Sequence, residues 1–318
     1  MAWRRVTNTL VDLIIVLLVV SLGTFLLVNL MGSDPAIAIL GEGYPEEEYE
    51  KIRIELGYYD PAIARYFSWL GSVFTGDLGT QMMPPYAPVT ERIASALPVS
   101  VQLAIMGIGI ALLLAIPLAM ISAYFAGGRL DRMISAGAFG MLSIPSFLLG
   151  LIVIMVFANW LGWFPRAEWV RITDDFGLNL YHALLPALVI ALGETATFTR
   201  ILRNDLIMTL QEDYILAAKA KGMSPLRIML SDALRPASLS MVTIVGISLG
   251  RLIGSTVIVE YLFALPGMGS LVISAASNGD VVTIQGAVMV IAVIYVLTNL
   301  LIDFSYGRLD PRIRRAHV

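Results

Sequence analysis

The feature that most constrains this chain is a series of apolar runs long enough to cross a lipid bilayer. Leu10 to Met31 is a run of 22 residues with Asp12, Ser21, Thr24 and Asn29 as its polar members, which matches the ~20 residues a helix needs to span the hydrocarbon. Five more follow: Leu97 to Tyr124 with Pro117 inside it, Met133 to Trp160 with Pro145 near its middle, His182 to Leu202, Ala237 to Tyr261, and Val281 to Ile302. Hydrophobic residues make up 58% of the 318 and charged ones 14%, and the mean hydropathy is +0.80. That balance lies outside the range of soluble domains. The expectation is an all-α polytopic membrane protein with six transmembrane helices.

Cysteine is absent, which removes disulfides, thiolate nucleophiles and thiolate metal sites together. His182 and His317 are the only histidines, so no metal centre is expected, and nothing points to nucleic acid. Arg4 and Arg5 precede a first run that is long enough to span and lacks a small-residue cleavage pattern, so no cleavable signal is expected.

The segments between the runs divide the chain into a start and first span (1–31), a polar external subdomain (32–96), a five-helix core (97–304) and a basic tail (305–318). In the subdomain, Pro45 with Glu46, Glu47 and Glu48 predicts a helix start and Gly57 its stop, while Asp60 and Pro61 open a second helix with Ile63, Phe67 and Leu70 on one side, closed by Gly71. Lys and Arg set the orientation. With the amino terminus inside, fourteen lie on the cytoplasmic side and six outside, with Arg251 left within a span. Both termini and the polar interval Glu212 to Pro236 are therefore expected to be cytoplasmic, in a multi-pass cell-membrane protein.

That interval, EDYILAAKAKGMSPLRIMLSDALRP, reads as two short helices. Glu212 and Asp213 lead the first and Lys219 and Lys221 end it, an order that suits the helix dipole. Gly222 is placed to close it in the left-handed conformation. Ser224 is placed to cap the second helix and Pro225 to occupy its first position. Leu226, Met229, Leu230, Ala233 and Leu234 then fall on one helical face.

The run Leu216-Ala217-Ala218-x-x-x-Gly222 resembles the EAA loop of ABC-importer permeases, and DYILAAKAKG followed by DALRPA resembles its dipeptide and oligopeptide permease version. Leu216 stands where the general motif has Glu, and the proline of its Ile-x-Leu-Pro arrives one place late, at Pro236. The resemblance extends along the chain: GDLGT at Gly76 to Thr80, SIPSFLLG at Ser143 to Gly150, WLGWFP at Trp160 to Pro165, LPALVIALG at Leu185 to Gly193, VEYLFALPGMG at Val259 to Gly269 and DPRIR at Asp310 to Arg314. The chain thus resembles the inner-membrane permease subunit of a dipeptide or oligopeptide importer. This implies a type I ABC-importer permease fold with a small external helical subdomain after the first span. It also implies that loop 212–236 couples the permease to an ATPase through Asp213, Ala217, Ala218, Gly222, Ser224, Pro225, Leu226, Met229, Leu230 and Leu234. The implied partners are a second homologous permease, two ATPase subunits that carry the ATP and Mg, an external solute-binding protein and the bilayer.

No GxxxxGK[ST] phosphate loop occurs in the chain, so no ATPase site and no cofactor of its own are expected, and the chain is read as a transporter subunit rather than an enzyme. Related permeases handle nickel, glutathione or oligosaccharides, and these remain open as substrates. An ion-driven carrier is the rival class, but it would show buried acid or histidine relays and an inverted repeat. Charges inside spans mark candidate pathway residues, because such charges must face a cavity, a partner or an opposite charge. Arg251 is the foremost, with Glu260 or Asp303 as expected counter-charges, and Glu194 and Arg200 pose the same choice. Gly246, Gly250 and Gly254 form a small-residue stripe expected to pack helices closely.

Overall fold

A bilayer core offers no water to exposed N–H and C=O groups, so a spanning segment must close its hydrogen bonds within itself. The computed structural model, which describes residues 2–30, 34–41, 43–55 and 57–309, is accordingly helical, and its one β feature is a bridge between Thr80 and Pro88. In chain order the helices are α1 (Ala2–Leu30), α2 (Pro35–Leu40), α3 (Glu46–Glu55), α4 (Ala62–Phe74), α5 (Val89–Tyr124), α6 (Arg129–Ser143), α7 (Ser146–Val153), α8 (Phe176–Thr209), α9 (Asp213–Ala220), α10 (Pro225–Arg227), α11 (Leu234–Ser255), α12 (Val257–Leu262), α13 (Met268–Ser277) and α14 (Val281–Leu309). Two wider π turns join them, Ile154–Trp160 after α7 and Ile228–Ala233 between α10 and α11. The tail motif Asp310 to Arg314 lies outside the described residues.

Five of these helices are long and apolar enough to cross a membrane, and the pair α6–α7 makes a sixth crossing if counted as one. That pair bends by 102°, where the sequence predicts a single run through Pro145. The cause is local. A residue before proline is pushed out of helical geometry, and Ile144 is extended at φ −89°, ψ 123°. The amides of Leu148 and Leu149 then donate to the Pro145 carbonyl, starting a new helix. By contrast, α5 runs unbroken through both Pro98 and Pro117. The return after the fifth span also holds a helix of its own, α13, which the sequence reading leaves as a connection.

The chain divides into two compact units, Met1–Ser100 with Pro266–Leu297, and Val101–Leu265 with Thr298–Val318. In the first, Leu78, Val89, Ile93, Ala96, Met268, Leu271 and Ala287 form the core. Gly286 permits that packing, since a Cβ there would lie 2.8 Å from Cγ1 of Val89. The short helices between the first two spans are tied down by polar contacts. Asp34 caps α2 through the Ala36 amide and accepts from Arg53 of α3, 2.9 Å from its Nε. Helix α4 packs on α1, with Tyr66 edge-on to Phe25 and 2.9 Å from the Ser21 hydroxyl. It does not stop at Gly71 but continues to Phe74, and Ile63 and Phe67 are exposed, so its buried side is the one bearing Tyr66.

In the second unit α8 is the central helix, buried along most of its length and packed against α6, α7, α11 and α12. Close approach is built in by small residues. A Cβ on Gly246 of α11 would lie 2.5 Å from Ile302 Cγ1, and one on Gly107 of α5 would lie 2.6 Å from Ile190 Cγ2. Gln102 and Asn179 join α5 to α8 by an amide pair, 2.5 Å from Nε2 to Oδ1.

Candidate functional site

The polar loop folds as two helical pieces hinged at Gly222. Helix α9 has Asp213 in its first turn and Lys219 in its last. Gly222 follows at φ +77°, its amide donating to Lys219 O at 3.0 Å while the Met223 amide donates to Ala218 O at 3.2 Å. Those paired bonds mark a glycine-closed helix end, and they need the left-handed conformation that glycine adopts without strain. Pro225 takes the first position of α10, but the Ser224 side chain makes no cap contact; its carbonyl accepts the Ile228 amide instead.

Beyond Arg227 the chain departs from the second helix the sequence predicts. It widens into the π turn Ile228–Ala233 and continues without a break into α11, so the second loop helix and the fifth span are one rod. A π turn holds one more residue than an α turn, which slips the side-chain register and divides the predicted apolar face. Met229 is 4% exposed and Ala233 is buried, joined on the inner side by Ile228, whereas Leu226 is 66% exposed and Leu230 also faces out. Leu234 is half-buried. Helix α9 packs against the π turn, burying Ile215 and Ala218 and leaving Asp213, Leu216 and Ala217 exposed. The Tyr214 hydroxyl donates to the Asp232 carbonyl at 3.4 Å. The loop therefore has an anchored inner side and an exposed outer side that bears Leu216, Leu226 and Leu230.

The candidate pathway charges occupy different surroundings. Arg251 of α11 pairs with Glu194 of α8, Nη2 to Oε1 at 2.5 Å, and Ser248 Oγ donates to the other carboxylate oxygen at 2.8 Å. The acid is buried, with its side chain 8% exposed, while the arginine side chain is 54% exposed. The partner of Arg251 is thus Glu194 rather than Glu260. Glu260 is fully buried and accepts from Thr256 Oγ1 at 2.7 Å; the side chain of Asp303 lies outside the described residues. Arg200, exposed on α8, makes no hydrogen bond or ion pair to a described residue.

A further ion pair escaped sequence reasoning. Asp131, in the first turn of α6, accepts from Arg203 Nε at 2.6 Å and Nη2 at 2.7 Å, from Ser122 Oγ of α5 at 2.6 Å and from the Gly127 amide at 2.8 Å. This clasp pins the α5–α6 turn to α8 six residues before α8 ends at Thr209. The local signal is faint, since Asp131 looks like the acid of a solvated basic turn and Arg203 stands 72 residues away.

Residues 115–315 match the model of the binding-protein-dependent transport system inner membrane component, and residues 3–104 match that of the N-terminal part of such membrane components. The chain belongs to this family. It is the permease subunit of an ABC importer, a multi-pass inner-membrane protein that works with an ATPase and a substrate-binding protein. A Brucella abortus (strain 2308) protein named as a peptide transport system permease is 35% identical to this permease over 94% of its chain and 95% of the relative. The oligopeptide transport system permease protein AppB of Bacillus subtilis (strain 168) is 33% identical over 94% and 95%. The fold is that of type I importer permeases: a chain of the MetNI methionine ABC transporter, in an inward-facing conformation, aligns with TM-score 0.58 and 15% identity over 69% of this permease and 96% of that chain.

Proposed function

We propose that this permease forms half of a peptide-conducting pathway, beside a second homologous permease, and is driven by two ATPase subunits that bind the ATP and Mg. Its termini and loop 212–236 face the cytoplasm, and a solute-binding protein delivers di- or oligopeptides from outside. The observation that carries the coupling role is the two-sided loop. Ile215, Ala218, Ile228 and Met229 anchor it from within, while Leu216, Leu226 and Leu230 stay exposed on an aqueous surface where apolar side chains call for a partner. Asp213, Ala217, Gly222, Ser224 and Pro225 shape that outer surface, and Leu234 leads from it into α11.

The continuity of the rod suits transmission. A push on α10 is carried through the π turn into α11, and α8 enters the loop from the other side, so ATPase closure moves two membrane helices through one loop. Along those helices the Arg251–Glu194 pair is our foremost pathway element, because a half-exposed guanidinium on a buried acid offers a fixed charge to a peptide terminus. Glu260, fully buried with Thr256, has the poorer access.

The test is uptake of a labelled peptide by vesicles holding the assembled transporter and its binding protein. ATP-dependent uptake is expected, with a thiol introduced at Glu47 labelled from outside and one at Ser224 labelled only from inside. Solute moved by an ion gradient without ATP, or the reversed labelling pattern, would overturn the proposal.

A further inference from the structure

Between α6 and α8 lies a cavity of about 140 Å³ lined by Ile134, Ala138, Phe139 and Leu142 on one side and Thr199 and Arg200 on the other. Ser135, Arg203 and Asn204, which also line it, are hydrogen-bonded, but one buried polar group is not. Thr199 is 2% exposed, yet its hydroxyl has no hydrogen-bond partner, and a buried hydroxyl in that state costs free energy unless something fills it. The adjoining Arg203 is neutralised by Asp131, so Arg200 is the cavity charge with no counter-charge among the described residues. Arg129 and Arg132, both exposed at the start of α6, add positive charge at the same end.

We propose that this groove binds one anionic phospholipid of the cytoplasmic leaflet, its phosphate held by the Arg200 guanidinium and the Thr199 hydroxyl. The leaflet rests on the orientation proposed above; the site itself rests on the cavity. Depth supports the assignment. Helix α8 has 34 residues and is about 51 Å long, so centred on a ~30 Å hydrocarbon layer it overhangs by about 10 Å at each end. Arg200 lies nine residues, about 14 Å, before the end at Thr209, just inside the layer of lipid phosphates. An arginine at that depth reaches toward a phosphate rather than remaining in hydrocarbon.

The walls point the same way. Phe139 and Leu142, one turn apart on α6, are both exposed beside the cavity, and this apolar edge suits an acyl chain. A water-filled peptide route would leave those side chains against solvent. Basic pockets between membrane helices on the cytoplasmic side are the kind of surface that takes lipid headgroups.

Native mass spectrometry of the assembled transporter, exchanged into micelles containing phosphatidylglycerol or phosphatidylcholine, tests the proposal. Phosphatidylglycerol is expected to stay bound in preference to phosphatidylcholine. Arg200→Gln should weaken its retention about tenfold or more, the loss of one charge-assisted contact. Arg200→Lys should keep much of it, and the near-isosteric Thr199→Val should weaken it less while leaving the fold undisturbed. Inorganic phosphate alone should not displace the lipid. Equal retention of the two lipids, unchanged retention in both Arg200→Gln and Thr199→Val, or displacement by inorganic phosphate would each overturn the lipid site. ATP-driven peptide uptake measured in parallel separates this result from the transport reading: uptake that persists while retention is unaltered would sink the lipid site alone.

Discussion

Helix α8 carries two ion pairs about 14 Å apart along its axis, and they are built in opposite ways. At Asp131–Arg203 the carboxylate accepts four strong hydrogen bonds and both partners are largely sheltered. At Glu194–Arg251 one bond of 2.5 Å joins a buried acid to an arginine whose side chain is half in the open. A bidentate, fully satisfied pair has one geometry and resists displacement. A single bond to an exposed guanidinium can be traded for another anion at little cost. The contrast assigns fixed architecture to the end of α8 that enters the loop and adaptable chemistry to its middle.

The largest effect expected from that contrast is at the clasp. Asp131→Ala leaves Arg203, the Ser122 hydroxyl and the Gly127 amide without their shared acceptor, and breaking a sheltered pair from one side costs about 3 kcal/mol or more. Thermal unfolding of the purified permease should show this as a clear loss of stability, with Arg203→Gln behaving alike. Wild-type stability in both variants would erase the difference between the pairs.

Arg251→Gln is expected to cost less stability than the clasp variants, because the amide can still donate to the buried Glu194 carboxylate beside Ser248, yet to slow ATP-driven peptide uptake. Glu194→Gln should fall between, because Ser248 also depends on that carboxylate. If Arg251→Gln unfolds the permease while uptake per folded molecule is unchanged, the middle pair is architecture as well.

The smallest effect lies between the first two spans, where Asp34 and Arg53 join α2 and α3. The Arg53 guanidinium holds the Asp34 carboxyl below its ordinary value of 3.8. A depressed carboxylate contributes stability that is complete above that ordinary value and lost as pH falls through the lower folded one. Protease nicking of the segment between α2 and α3 should therefore rise only on strong acidification, and Arg53→Gln should move the onset to higher pH. An onset that stays where it was would dissociate Asp34 from the acid response.

Much of this architecture was legible in the sequence. Apolar length alone located the crossings, and Gly222 with Pro225 located the loop hinge, because glycine and proline act through local backbone geometry. Three features were not legible, each for its own reason. Pro145 sits within a run that reads as one span, and the 102° bend there comes from Ile144 leaving helical geometry before the proline, which apolar length does not show. The π turn after Arg227 left no mark in composition, and it moved Leu226 and Leu230 away from the face that Met229 and Ala233 share. The Asp131–Arg203 clasp joins residues far apart in sequence, each of which reads locally as an ordinary surface charge.

The register slip at the π turn makes it possible to test, in one comparison of variants, whether the outer side of loop 212–236 is the seat of the ATPase. Leu226→Glu with Leu230→Glu changes exposed side chains only, whereas Met229→Glu places an unpartnered carboxylate inside the permease, a strongly unfavourable burial. Co-purification of the ATPase with tagged permease should then separate the variants. Leu226→Glu/Leu230→Glu is expected to yield normal amounts of folded permease with the ATPase lost, while Met229→Glu depletes the permease itself. Full retention of the ATPase by a well-folded Leu226→Glu/Leu230→Glu permease would contradict the coupling role of the loop.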